Sequence, residues 1–190
     1  QTRAVLRDGQ WIINGSKTFI TNSGTDITGP IVIAAVTGTR DDGRKEISNF
    51  ILPSDTAGFS LGRKLQKIGW RGSTTYELFF EDCVLPADHL LGEQGAGLKQ
   101  TLGNISTGRI LIGALGLGIL QGSMERSVAY LKDRSAFGKR LEHFQALQFK
   151  VADMATHAHA ARLMLYDAAS RKDAGLSCDV EASMAKLFAT

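Results

Sequence analysis

Turn-forming dipeptides divide the first ninety or so residues into short apolar runs, and this punctuation restricts that part of the chain to β structure. Ala4 to Leu6 and Trp11 to Ile13 alternate on either side of Asp8-Gly9, a pair suited to a tight primed hairpin turn. Further β-rich runs follow at Lys17 to Thr21, Ile31 to Thr37, Ile47 to Leu52, Phe59 to Leu65, Tyr76 to Phe80 and Cys83 to Leu85. Asn14-Gly15, Asp42-Gly43, Pro53 and Gly72-Ser73 separate them. About seven short strands with turns between them predict an antiparallel β-barrel or sandwich. No strand alternates with a helix, which argues against a dinucleotide-binding α/β sheet.

The organisation changes once, near residue 94. From about Gly97 the strand signals vanish, and helices are expected over Leu98 to Lys132, over Phe144 to Lys172 and from Asp179 onward. The second has an apolar face, with Leu147, Val151, Met154, Ala158, Ala161 and Leu165 recurring three and four apart, and it ends at Lys172 and Gly175. The fold class expected is therefore α+β: a β domain over residues 1–94, then part of an α-helical bundle over residues 95–190. The first helix carries Gly103, Gly108, Gly113, Gly116, Gly118 and Gly122, each costing about 1 kcal/mol relative to Ala. Either close helix packing against small residues or a ligand approaching Gly108 must offset that cost.

Composition excludes several classes. Lys and Arg number 22 against 19 Asp and Glu, a net charge of +3, so no polybasic surface for nucleic acid is expected. Cys83 and Cys178 lie far apart without a CxxC pair, so neither a disulfide framework nor a zinc cluster is read from them, and a reducing compartment is the default. The longest uncharged apolar run, Ile110 to Leu120, is about half the roughly 20 residues of a membrane span, so a soluble protein is expected. The chain opens at Gln1 without Met or a targeting segment and stops inside the helical pattern Glu181 to Ala189. It therefore reads as a piece of a longer polypeptide.

Several motifs fail on spacing. Gly116-Leu117-Gly118 with Gly122 has one residue too many for a dinucleotide fingerprint and lies inside a helix pattern. His157 and His159 point about 200° apart on a helix and cannot share a metal; no metal ligand set is expected. Glu81 and Asp82 face opposite sides of a strand, so they read as strand-end charges rather than an acid–base pair. No GxSxG elbow supports a hydrolase.

The remaining segments together resemble one family, the acyl-CoA dehydrogenases. Trp11 to Asn22, reading WIINGSKTFITN, is similar to that family's middle-domain segment, in which the equivalents of Phe19, Ile20 and Thr21 border the flavin; many members have Trp where Phe19 stands. An aromatic face and a hydroxyl suit an isoalloxazine and its polar edge. Lys67 to Pro86 resembles the strand pair closing the same domain, and Leu90 to Glu93 the crossing into the helical domain. Ser106-Thr107-Gly108-Arg109 matches a position where members often have an Asp, two residues and an Arg lining the acyl-CoA cavity; Ser106 departs from the Asp. Arg134 to Met154 resembles the family's loop and following helix, where the Arg and a Gln eleven residues later hold FAD of the neighbouring subunit. Arg134 and Gln145 match, with Phe137 between them. A guanidinium fork suits a pyrophosphate, and an amide both donates and accepts.

The resemblance implies an FAD enzyme oxidising an acyl-CoA thioester to the trans-2-enoyl-CoA. A Glu removes the α proton, the β hydride goes to flavin N5, and electrons pass to an electron-transfer flavoprotein. In one branch the catalytic Glu sits where Gly108 stands, so the base is expected downstream of Thr190 and no catalytic residue within the chain. The resemblance also implies a homo-dimer or homo-tetramer, in the bacterial cytoplasm or a mitochondrial matrix. Two other readings stay open: a relative using oxygen, an acyl-CoA oxidase or flavin monooxygenase, and a noncatalytic oligomerising module without FAD.

Overall fold

A computed structural model describes residues 1–190. The chain divides into two compact units, Gln1–Thr101 and Leu102–Thr190. The first is one curled six-stranded sheet, built from β1 (Arg3–Arg7), β2 (Gln10–Thr21), β3 (Ile31–Thr39), β4 (Lys45–Leu52), β5 (Phe59–Lys64) and β6 (Thr75–Pro86). The spatial order is β4-β3-β1-β2-β6-β5. The expected hairpin is present, with Leu6 opposite Trp11 and both Asp8 and Gly9 at positive φ. All pairings are antiparallel except that of β1 with β3, where Arg3 lies beside Val36. Alternate residues of the strands face one core, in which Trp11 meets Phe50 edge-on with ring centroids 5.0 Å apart.

Two pairs of runs read as separate strands are single long strands. Trp11 to Ile13 joins Lys17 to Thr21 in β2, and Tyr76 to Phe80 joins Cys83 to Leu85 in β6. The residues that read as breaks face each other across an irregularity in the pairing. Asn14 Nδ2 donates to Asp82 Oδ1, and the Asp82 amide donates to Asn14 Oδ1, both at 2.8 Å, with Asp82 at φ 49°. Asp82 is thus a mid-strand bulge residue, and the strand-end reading of Glu81 and Asp82 is corrected; a bulge keeps the ladder going while inserting an unpaired residue. Cys83 beside it is buried, which pushes its thiol pKa up, and Cys178 is buried and free as well.

Polar residues of β4 receive the chain as it turns toward the helices. Asn49 Nδ2 donates to the Gly97 carbonyl at 3.1 Å and to Gln100 Oε1 at 2.9 Å, while the Asn49 carbonyl accepts from the Leu91 amide at 2.8 Å. Ser48 Oγ accepts from the Gly95 amide at 2.9 Å. Glu46 Oε1 accepts from Gln94 Nε2 at 2.7 Å and from Thr37 Oγ1 at 2.8 Å. A Cβ on Gly97 would stand 2.7 Å from the Ser48 carbonyl carbon, so only glycine fits where the helix begins.

The second unit holds the helices α1 (Gly97–Asp133, from Leu102 on), α2 (Gln145–Asp173) and α3 (Asp179–Ala189), within about a residue of the expected bounds. The buried faces are small: Ala158, Ala161, Leu165 and Ala168 on α2 meet Ala182 and Ala185 on α3. Close packing accounts for Gly113, where a Cβ would lie 2.7 Å from Leu165 Cδ2, and for Gly116, where it would meet the Ala189 carbonyl oxygen. Gly103, Gly108, Gly118 and Gly122 face open space, so packing inside the unit does not explain them. By length and composition alone α1 is long and apolar enough to cross a membrane, with 11% of the qualifying window buried. Core helices of bundles meet the same length and composition, and the longest uncharged apolar run, Ile110 to Leu120, is about half a span.

Asn49→Ala should destabilise the first unit by about 1–3 kcal/mol, because it removes the buried amide that donates to the Gly97 carbonyl and leaves Gln100 Oε1 without that donor; urea unfolding measures it. The Gln94 and Thr37 donors hold the Glu46 carboxyl below its ordinary value. A depressed folded value gives stability that is complete above the unfolded carboxyl's titration near pH 4.3 and is lost as pH falls through the folded value. Urea midpoints of wild type and Glu46→Gln should therefore differ at about pH 6 and converge near pH 3.

Candidate functional site

The residues singled out in the sequence fall on three surfaces, one in the first unit and two in the second. In the first unit, Phe19 to Thr21 end β2 at a second break in its pairing, between Lys17 and Ile20. Phe19 takes φ 61°, a left-handed conformation costly for a bulky residue, and is 73% exposed. Ile20 packs against the core, and Thr21 pairs with Thr75. The segment is rigidly framed. Asn22 Oδ1 accepts from Ser73 Oγ at 3.0 Å and from the Thr74 amide at 3.2 Å, and the Ile20 carbonyl accepts from Ser23 Oγ at 3.0 Å. Burial lowers the Lys17 ammonium pKa from its ordinary value. An exposed aromatic held in a strained backbone contributes little to folding, and such strain of about 1–3 kcal/mol clusters where ligands are gripped.

In the second unit, the stretch read as a loop after α1 is a miniature hairpin of β7 (Ser135–Ala136) and β8 (Lys139–Arg140). Phe137-Gly138 forms its two-residue turn, with φ 52° and 79°, and Phe137 is 95% exposed. The Leu141 amide donates to the Arg134 carbonyl at 2.8 Å and closes the hairpin. Phe144 anchors it, edge-on to Phe137 with centroids 6.4 Å apart and with Lys139 Nζ 4.3 Å from its ring centroid. Gln145 then opens the 29-residue α2. The hairpin thus places exposed Arg134, Phe137 and Gln145 within one short stretch, together with Lys139, Arg140 and the N-terminus of a long helix. Cations, an amide, an aromatic ring and a helix N-terminus suit a ligand that combines phosphate with a flat ring.

Ser106 and Arg109 lie one turn apart on α1 and line a groove of about 480 Å³ with Leu102, Ile105, Asp179, Val180, Ser183 and Met184. Ser106 is only 5% exposed, and its hydroxyl donates to the Asp179 carboxylate. Asp179 was missed from sequence because it stands 73 residues away, and its only local signal is that of an acidic residue opening a helix. The groove is apolar along Leu102, Ile105, Val180 and Met184, with a base and an acid in its wall. From Arg109 to Asp133 the helix runs roughly 36 Å. One small ligand therefore does not reach both this groove and the Arg134 hairpin of the same chain.

Residues 1–83 match the family model described as acyl-CoA dehydrogenase, middle domain, and residues 95–190 the one described as acyl-CoA dehydrogenase, C-terminal domain. The chain is 43% identical over all 190 residues to an acyl-CoA dehydrogenase of Bacillus subtilis, covering 49% of that protein. It superimposes on the butyryl-CoA dehydrogenase structure from Megasphaera elsdenii with a TM-score of 0.93 and 40% identity, covering 100% of this chain and 49% of the other. A chain in a structure titled for the electron transferring flavoprotein of Acidaminococcus fermentans gives a TM-score of 0.91 at 42% identity, with coverage of 100% and 49%. The chain thus spans about half the length of the relatives it matches.

If Phe19 is held for contact rather than for folding, Phe19→Asn should raise stability by about 0.5–1 kcal/mol, because Asn tolerates the left-handed region. A thermal or chemical unfolding midpoint below that of wild type would show that the ring supports the sheet.

Proposed function

Because this chain belongs to the acyl-CoA dehydrogenase family, we propose that it forms the central part of an FAD enzyme that oxidises an acyl-CoA to the trans-2-enoyl-CoA. The observation that carries this reading is that Phe19 and Phe137, two of three exposed aromatics in left-handed backbone, the third being Trp70, stand at positions that the resemblance assigns to the flavin cofactor. Neither serves a core, and each stands beside groups suited to part of such a cofactor. FAD, when bound, supplies the acceptor for the substrate hydride.

The chain's own residues then divide the binding work. Phe19 offers a flat apolar face and Thr21 a hydroxyl toward the ring system, with Ile20 anchoring the strand end between them. Arg134 holds phosphate by charge-assisted bonds, Gln145 donates and accepts beside it, and Phe137 covers an apolar surface. Since α1 separates that hairpin from the groove by roughly 36 Å, the cofactor gripped by Arg134 belongs to the site of a neighbouring copy. The groove at Ser106 and Arg109 receives the acyl-CoA, its apolar wall excluding water and Arg109 orienting a polar part of the ligand. Gly108 has no side chain to accept a proton, so the base comes from outside these 190 residues. An electron-transfer flavoprotein is the acceptor in this reading.

In the full-length protein, Arg134→Ala should weaken FAD binding about 10- to 100-fold, since a hydrogen bond to a charged group is worth about 1.5–3 kcal/mol. Equilibrium dialysis of FAD against the variant measures it. Affinity equal to wild type would remove Arg134 from the cofactor site.

A further inference from the structure

Asp179 is the first residue of α3, where an acidic side chain ordinarily turns back toward its own helix's unpaired amides. It does something else here. No side chain caps α3, and the Asp179 carboxylate accepts instead from the Ser106 hydroxyl on α1. Ser106 is buried, so its single donor is committed and the carboxylate is tethered in the wall of the groove. Arg109 stands one turn along α1 from Ser106, in the wall of the same groove, and Asp179 and Arg109 are the acidic and basic residues lining it.

We propose that Asp179 is a positioning residue for substrate binding: tethered by Ser106, it places on α3 the negative charge that keeps the Arg109 guanidinium turned into the groove. This rests on the reading that the groove takes acyl-CoA. A long guanidinium side chain loses about 2 kcal/mol of rotamer freedom when fixed. A fixed carboxylate in the same partly enclosed wall favours one arrangement of it before the ligand arrives, which is preorganisation. The same arrangement answers a feature of the sequence, for α1 has a neutral Ser at 106 where the resemblance leads one to expect an acid. The acid is present after all, contributed by another helix.

Calorimetric titration of the FAD-loaded full-length protein with crotonyl-CoA, an enoyl-CoA product that the oxidised flavin does not turn over, tests this. Asp179→Asn keeps an acceptor for Ser106 and removes only the charge, so its melting temperature should stay near wild type while Kd rises about 10-fold, equivalent to about 1.4 kcal/mol. Asp179→Glu should retain affinity within about threefold. If Asp179 acts through Arg109, then Asp179→Asn should have no further effect in an Arg109→Gln background, because the two losses are coupled. Unchanged affinity in Asp179→Asn, or full additivity with Arg109→Gln, overturns the positioning role. A fall in melting temperature with unchanged Kd leaves Asp179 as a tie between helices and overturns it equally. Unchanged affinity in Arg109→Gln alone would instead overturn the assignment of the groove to acyl-CoA, and the inference with it.

Discussion

The buried amide of Asn49 is the point on which the first unit turns. Burying a polar side chain in a sheet costs free energy unless its hydrogen bonds are met, and the Asn49 side-chain amide donates to the Gly97 carbonyl and to Gln100 Oε1 while its main-chain carbonyl accepts from the Leu91 amide. β4, at the edge of the sheet, therefore receives the start of α1 by offering hydrogen bonds. Ser48 and Glu46 extend the seam to Gly95 and Gln94. Gly97 completes it, since no side chain fits between the helix start and the Ser48 backbone. Within the first unit the opening turn of α1 is held to β4 by specific hydrogen bonds.

In the second unit the same economy of size governs the helices. Alanines on α2 and α3 and two glycines on α1 let the backbones come close, and dispersion over many short contacts replaces the burial of large side chains. Large side chains accordingly remain outside: Phe149, Leu163, Tyr166, Val180, Leu187 and Phe188 are all exposed. Gly118 and Gly122 on α1 are open as well.

Strain is confined to residues that the core does not need. Phe19 and Phe137 each occupy a left-handed backbone and point their rings outward, against the preference of a bulky side chain. Each is fixed by its neighbours: Phe19 by the hydrogen-bonded frame around Asn22, Phe137 by the closed hairpin and the Phe144 ring. Such positions are where stability is given up for a rigid contact surface.

Local signals in the sequence determined the α+β class, the Asp8-Gly9 hairpin, the three helices and the segments that mark the family. Turn chemistry and hydrophobic period act between near neighbours, and no distant residue overrides them there. The fusion of β2 and β6 was hidden because Asn14-Gly15 and Glu81-Asp82 look like breaks, and only pairing across 68 residues makes them a bulge. The division of the α1 glycines into packed and open and the place of Asp179 were decided by the tertiary structure alone. Each depends on which surfaces meet: Gly113 on Leu165, Gly116 on Ala189, Ser106 on Asp179. A linear pattern records what a residue is able to do with its neighbours along the chain. Which distant group arrives within hydrogen-bonding reach is fixed only when the helices pack.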